Sequence, residues 1–229
     1  KVDVISEYRR ELDIDRAVTS SVWSRSGSPF LQEVFASHPA DAIIFRLSGA
    51  RSRFRVSLSS QHPVVHKETA ERTLSMRGQL PGVVLRRDLE LVEERGQTGK
   101  YPEIWDSETK RHSFAAPVLY GEDVDNSGVR FDARVCVLST DGKVVVDGQG
   151  IQIHDAEETV LVLTARSSYN GFDRSPSRDG RKESRDVAQD LKALCGRSFD
   201  DLMREHVSDY QGLYRRVTID LGDARDTVP

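Results

Sequence analysis

The twelve residues GVRFDARVCVLS, Gly128 to Ser139, alternate apolar and polar almost without a break. On an extended chain Val129, Phe131, Ala133, Val135 and Val137 point one way, and Arg130, Asp132 and Arg134 point the other. A period of two belongs to a β-strand with one face buried, because a helix would scatter the same residues around its axis. Turn signals follow at Asp141-Gly142 and Asp147-Gly148, whose residues tolerate the positive φ of a tight turn. With KVVVDG, GIQIHD and TVLVLTARSSY between and after them, residues Val129 to Tyr169 are expected to form a four-strand antiparallel meander.

The same alternation runs through most of the earlier chain. EYRRELDIDRAV, LQEVFAS, DAIIFRL, FRVSLSS, RTLSMRG, VVLRRDLELVEE and RHSFAAPVLY all read as strands. Roughly ten strands punctuated by Pro and Gly predict two packed antiparallel sheets. No fixed-period repeat is visible, which disfavours propellers and solenoids.

After RSPSRDG (Arg174 to Gly180) the period changes. From Lys182 to Leu194 it is helical, with Val187, Leu191 and Leu194 on one face and Gly196 placed to end the helix. Ser198 with Asp201 three positions on reads as a capping box for a second helix. There Phe199, Leu202, Met203, His206, Val207, Tyr210, Leu213 and Tyr214 make a wide apolar stripe, which predicts burial against the sandwich or a neighbouring domain. VTIDLG then reads as a strand rejoining a sheet. The resulting division is a sandwich over residues 1–175, clipped at its start, and a helical linker with a returning strand over 176–229. The opening KVDVIS lacks the apolar core of a signal peptide and alternates as a strand does.

Composition narrows the function. Hydrophobic residues are 37%, charged residues 31% and the net charge is −4, with both signs interspersed. No single-sign field for nucleic acid exists; the most basic stretch, Arg174 to Arg185, is diluted by Asp179 and Glu183 and has no aromatic residue for stacking on bases. No window approaches the length of apolar chain needed to span a membrane. Cys136 and Cys195 read as free thiols rather than a staple.

Metal and catalytic motifs are equally thin. In GEDVDNSG, Asp123, Asp125, Ser127 and Gly128 match the front of a calcium loop, but Arg134 stands where the bidentate carboxylate belongs, so the segment reads as a polar connection. His62 and His66 are four apart, yet Pro63 argues against the helix that would aim them at one zinc ion. No nucleophile elbow, phosphate loop or dinucleotide fingerprint occurs. No catalytic residue, metal ligand or cofactor is therefore expected. The candidate binding residues are the aromatics near predicted turns and their polar neighbours. Tyr101 and Trp105 lie in YPEIWD; Tyr169, Asn170, Phe172 and Asp173 lie in YNGFD; Trp23 is likewise expected near a turn. Rings with adjacent carboxylates suit a sugar face and its hydroxyls, while packing against the core or another domain is the plainer reading.

Three segments carry a resemblance. EYRRELDIDRAV with EVFASHPADAIIFRL is similar to the N-terminal region of glycoside hydrolase family 95, known chiefly for α-L-fucosidases. GVRFDARVCVLSTDGKVVVDGQGIQIHDAEETVLVLTARSSYNGFD resembles the closing strands of that domain, and SFDDLMREHVSDYQGLYRRVTIDLG its linker. The resemblance is weakest from His62 to Tyr120. It implies a mostly β, antiparallel two-sheet super-sandwich with a C-terminal helical linker segment, followed in the family by an (α/α)6 catalytic barrel that performs inverting hydrolysis of a terminal α-L-fucosyl bond. That catalytic domain would be the partner, a glycan its substrate, and the parent exported to the periplasm or the cell exterior. Residues 199–216 would be linker and 169–173 a loop facing the barrel. The chain by itself is expected to be inactive. A free carbohydrate-binding module and a purely structural interaction sandwich are the alternatives.

Overall fold

A computed structural model of the chain describes residues 4–62, 65–84, 89–97, 99, 105–106, 111–112, 118–120 and 128–219. The alternating segments are strands. β1 (Ile5–Asp13), β2 (Val18–Arg25), β3 (Ser28–Ser37) and β4 (Ala42–Val56) run up and down as neighbours. β2 departs from the expectation: EYRRELDIDRAV contains a turn, and Trp23 lies inside a strand, stacked on Phe30 of β3 at 5.6 Å. The β2–β3 turn is Ser26-Gly27, with φ of 51° and 81° at the two residues, a backbone whose twist matches that of the flanking strands. Charged residues crowd β1, an edge strand exposed along its whole length, and such charges discourage pairing with another chain.

β5 (Val65–Ala70), β6 (Thr73–Gln79), β11 (Arg130–Thr140), β12 (Lys143–Asp147) and β13 (Gly150–Ser167) complete one nine-stranded sheet. Its order is β1-β2-β3-β4-β13-β11-β6-β5, with β12 paired to β13. Two small ribbons stand apart. β7 (Pro81–Val84) pairs with β10 (Val118–Tyr120), and β8 (Trp105–Asp106) with β9 (Arg111–His112). The later part of VVLRRDLELVEE is not a strand but a short helix, α1 (Leu89–Glu94). Its one fully buried side chain among those described is Val92, 1% exposed.

The meander also differs. GIQIHD and TVLVLTARS form a single 18-residue strand, β13, bulged around Asp155 and Ala156. β11 pairs with the second half of β13 (Thr140 opposite Thr159), and β12 with the first (Lys143 opposite His154). Asp141-Gly142 is therefore a step from one half of β13 to the other. The Asp141 carboxylate accepts the backbone N–H groups of Glu157 and Glu158 at 3.0 Å each, and these bonds hold its pKa below the usual carboxylate range. A Cβ on Gly142 would meet the His154 carbonyl oxygen at 2.5 Å, so only glycine fits. Asp147-Gly148 is a true hairpin turn, with Asp147 opposite Gly150.

Two apolar clusters lie on opposite faces. One joins Val18, Phe35, Ile44, Val160 and Val162 of the sheet to Leu194, Phe199, Leu202 and Met203 of two helices, α2 (Glu183–Leu194) and α3 (Phe199–Tyr214). The other joins Leu74 and Val137 to Ile151, Ile153 and Ala156, with Val144 and Val146 of β12 against it. The bulged β13 and the 15-residue β4 carry the sheet over itself, so one hydrogen-bonded sheet supplies both layers of the sandwich. The fold is mostly antiparallel β with a few helices, as expected. Among the described residues, no helix is long and apolar enough to cross a membrane.

Candidate functional site

α2 lies on the polar face of β11. Arg130 Nε binds Glu183 Oε1 at 3.0 Å, and its Nη1 donates to the Ser177 carbonyl at 2.9 Å. Arg134 forks onto Asp132, which is fully buried, and donates to the Ser184 carbonyl at 3.1 Å. Arg166 of β13 forks onto Asp190 at 2.7 and 3.1 Å and also pairs with Asp41 of the β3–β4 turn. The bonds to Asp190, then the charge of Asp41, push the Arg166 pKa further up. The residues that alternate with the valines thus face a helix, not water.

α3 begins as expected. The Ser198 hydroxyl oxygen accepts the Asp201 N–H at 3.1 Å, the hydroxyl donates to the Asp201 carboxylate at 2.8 Å, and Gly196 has φ of 78° just after α2. The first half of the stripe is buried: Phe199 7%, Leu202 0%, Met203 8% and His206 3% exposed. Arg46 lies over the Phe199 ring at 3.9 Å, and His206 stacks on Phe35 at 4.7 Å.

Beyond His206 the attachment changes character. His206 Nε2 lies 3.0 Å from the Arg16 carbonyl, the Tyr210 hydroxyl donates to the Ile14 carbonyl at 2.9 Å, and Gln211 donates to the Asp15 carboxylate at 2.8 Å. Arg215 forks onto the same carboxylate, through Nε at 2.8 Å. The Arg215 bonds lead the effects that hold the Asp15 carboxyl below its ordinary value. Polar bonds to the β1–β2 turn thus fix the end of α3 while its apolar side chains stay in water: Leu213 is 61% and Tyr214 41% exposed. Ile14, whose carbonyl accepts the Tyr210 hydroxyl, is 61% exposed. VTIDLG does not rejoin a sheet within the described residues. Val217 and Ile219 carry no strand and are 76% and 80% exposed, and residues 220–222 lie outside the described part.

Of the six candidate binding residues, four share the loop after β13. Tyr169 is 53% exposed, Asn170 donates to the Asp179 carbonyl at 3.1 Å, and Asp173 is exposed. At 97% exposure Phe172 packs on almost nothing, and Gly171 beside it has φ of +105°. Tyr101 lies outside the described residues, as does the Trp105 side chain; the Trp105 backbone pairs with His112. The calcium-like segment 121–127 is also outside them. His62 precedes β5, with its ring 6.3 Å from Phe131, and His66 is exposed within β5, so the two share no helix. Among the described residues, no group of three or more His, Cys, Asp and Glu is placed to hold a metal ion. Cys136 and Cys195 are free thiols. The features sequence reasoning missed are the Asp15–Gln211–Arg215 junction and the arginine face under α2. Their partners on other elements are 24 to 200 residues apart, and no local pattern signals them.

The chain is 26% identical over 224 residues to "Alpha-L-fucosidase 2" of Arabidopsis thaliana, covering 94% of this chain and 24% of that protein. It is 26% identical to "Probable alpha-fucosidase A" of Aspergillus niger (strain ATCC MYA-4892 / CBS 513.88 / FGSC A1513), covering 96% and 24%. The chain spans about a quarter of the length of these relatives. Among solved structures, "Putative kojibiose phosphorylase from human microbiome" superposes with a TM-score of 0.51 at 8% identity, covering 93% of this chain and 26% of that one; at this identity the likeness concerns the fold alone. A family model described as "Glycosyl hydrolase family 65, N-terminal domain" matches residues 1–171, so the chain belongs to that N-terminal-domain family of glycoside hydrolases.

Proposed function

We propose that this chain is the non-catalytic N-terminal β-sandwich portion of an α-L-fucosidase-type glycoside hydrolase of family 95. The observation that carries the reading is the lopsided coverage: fucosidase relatives match 94% or more of this chain, yet the match takes up 27% or less of their own length. A separate catalytic domain, an (α/α)6 barrel by the family resemblance, supplies the acid and the activated water for inverting hydrolysis of a terminal α-L-fucosyl bond. The sandwich proper ends near residue 175, and residues 176–229 lead toward that domain. The polar junction at Asp15 favours this, since it fixes the direction of α3 while leaving Leu213, Tyr214 and Ile14 available for contact. Phe172 and Tyr169 stand on the loop assigned to face the barrel or its glycan. Export of the parent rests on the family resemblance.

The test is an assay of the purified 229-residue chain and of the product of the complete reading frame on an aryl α-L-fucoside and on fucosylated oligosaccharides. Hydrolysis by the longer product and none by the chain is expected. Turnover by the chain that survives repurification would overturn the reading. Titration of the chain with fucose by calorimetry addresses the alternative of a binding module, for which Phe172→Ala would have to abolish the heat.

A further inference from the structure

The sheet extends past the helix that packs on it. α2 lies on β11 and β13, and β6 and β5 continue the sheet beyond them. Between the β5–β6 hairpin and the first turn of α2 runs a cleft of about 430 Å³, lined by His66, Glu68, Arg77, Gln79, Arg130 and Glu183. It shares Arg130, Glu183 and Ser184 with a second cleft of about 610 Å³, which leads on past Ser177 to Lys182 and Arg185. The two are lobes of one groove.

The charges of the first lobe are paired. Arg77 donates to Glu68 at 2.5 Å, and Arg130 to Glu183 at 3.0 Å. The Glu68 charge also favours the Arg134 guanidinium, which is held on buried Asp132. Glu183 is largely buried and ties α2 to the sheet, whereas Arg77 and Glu68 are 40% and 64% exposed. An ion pair that exposed adds little to stability, so holding the hairpin does not account for it. A guanidinium beside a carboxylate sets donors and acceptors next to each other with no net charge. A sugar ring presents the complement, adjacent hydroxyls that each donate and accept. An anion would meet Glu68 and Glu183, and an apolar ligand would strip charged groups of water without replacing their hydrogen bonds. The first lobe falls within the range of about 300–1,000 Å³ of small-molecule sites, and the second gives room for a further sugar unit. There Arg185 turns onto Asp186, and Lys182 is exposed.

We infer that the groove between the β5–β6 hairpin and α2 is a binding site for a neutral oligosaccharide, with the Glu68–Arg77 and Arg130–Glu183 pairs hydrogen-bonding adjacent hydroxyls of one sugar unit. Its residues are distinct from those of the loop after β13, and it holds a glycan on the sandwich without cleaving it. This rests on the proposal that the chain is one portion of a glycan-hydrolysing protein.

The test is calorimetric titration of the 229-residue chain with fucosyllactose and with lactose, alongside amide exchange read by mass spectrometry. Saturable binding of one or both sugars is expected, with slower exchange at residues 66–68, 77–79 and 182–185. Glu68→Gln and Arg77→Met should each weaken binding about tenfold, because each removes a charge-assisted hydrogen bond. Where either variant unfolds, the exchange map of the unaltered chain decides. No heat and no protection, with the complete gene product still hydrolysing an aryl α-L-fucoside, would overturn the site and leave the functional reading standing. Protection confined to residues 169–173 and lost in Phe172→Ala would assign the glycan to that loop. Equal protection by sodium sulfate would make the groove an anion site, and unchanged affinity in both folded variants would leave the Glu68–Arg77 pair without a role. Each of these outcomes also overturns the inference.

Discussion

Asp132 is the most consequential single carboxylate in the described structure. It is fully buried, and its partner Arg134 holds the first turn of α2 through the Ser184 carbonyl. Removing one member of a buried pair leaves the other charge poorly solvated, typically costing about 3–5 kcal/mol. Arg134 keeps 21% of its side chain exposed, so Asp132→Leu is expected at the low end of that range, about 3 kcal/mol by urea denaturation. Asp15 shows the opposite case, an exposed carboxylate whose value is orientation. Because Arg215 lowers its pKa in the folded protein, its contribution is complete above the ordinary carboxylate pKa and is lost as pH falls through the lowered value. Amide exchange at residues 211–215 should therefore quicken relative to residues 202–206 as pH drops from about 4 toward 2, once intrinsic rates are divided out. Asp15→Asn should show that difference already at neutral pH.

At the scale of the element, α3 divides into two halves with different attachments. Leu202 is fully buried in the first cluster and Leu213 is 61% exposed. Leu202→Ala is expected to cost about 2–5 kcal/mol in the chain. Leu213→Ala should cost less than about 0.5 kcal/mol, as a surface substitution on a helix does. Chemical denaturation of the two variants checks the contrast, and a large loss from Leu213→Ala would place that end of the helix against its own sheet. The pattern of the helix was readable from residues 199–214: spacing of three and four gives the stripe, and Ser198 its cap. What the spacing could not say was where burial stops along the stripe, since that depends on the length of sheet beneath. LELVEE shows the converse error. Leu89, Leu91 and Val92 fit a short strand or one helical turn equally well, and only the surrounding chain chose the helix.

For the whole molecule, α2 and α3 are part of the first core cluster. A chain ending at Ser175 would uncover Phe35, Ile44, Val160 and Val162, so it is expected to aggregate or to melt well below the 229-residue protein by scanning calorimetry; equal melting would make the helices dispensable to the sandwich. The amino-acid sequence alone determined that this is an antiparallel β chain ending in two amphipathic helices. Apolar period and turn chemistry are local properties, carried by residues such as Val135 and Val137, Ser198 and Gly196. Only the tertiary structure decided that β13 is one bent strand serving both β11 and β12, that Arg130, Arg134 and Arg166 face α2, and that Asp15 meets Arg215 across 200 residues. Each of those is a pairing between distant segments. Its energy depends on which surfaces the folded chain brings together, and that information does not reside in any short stretch of residues.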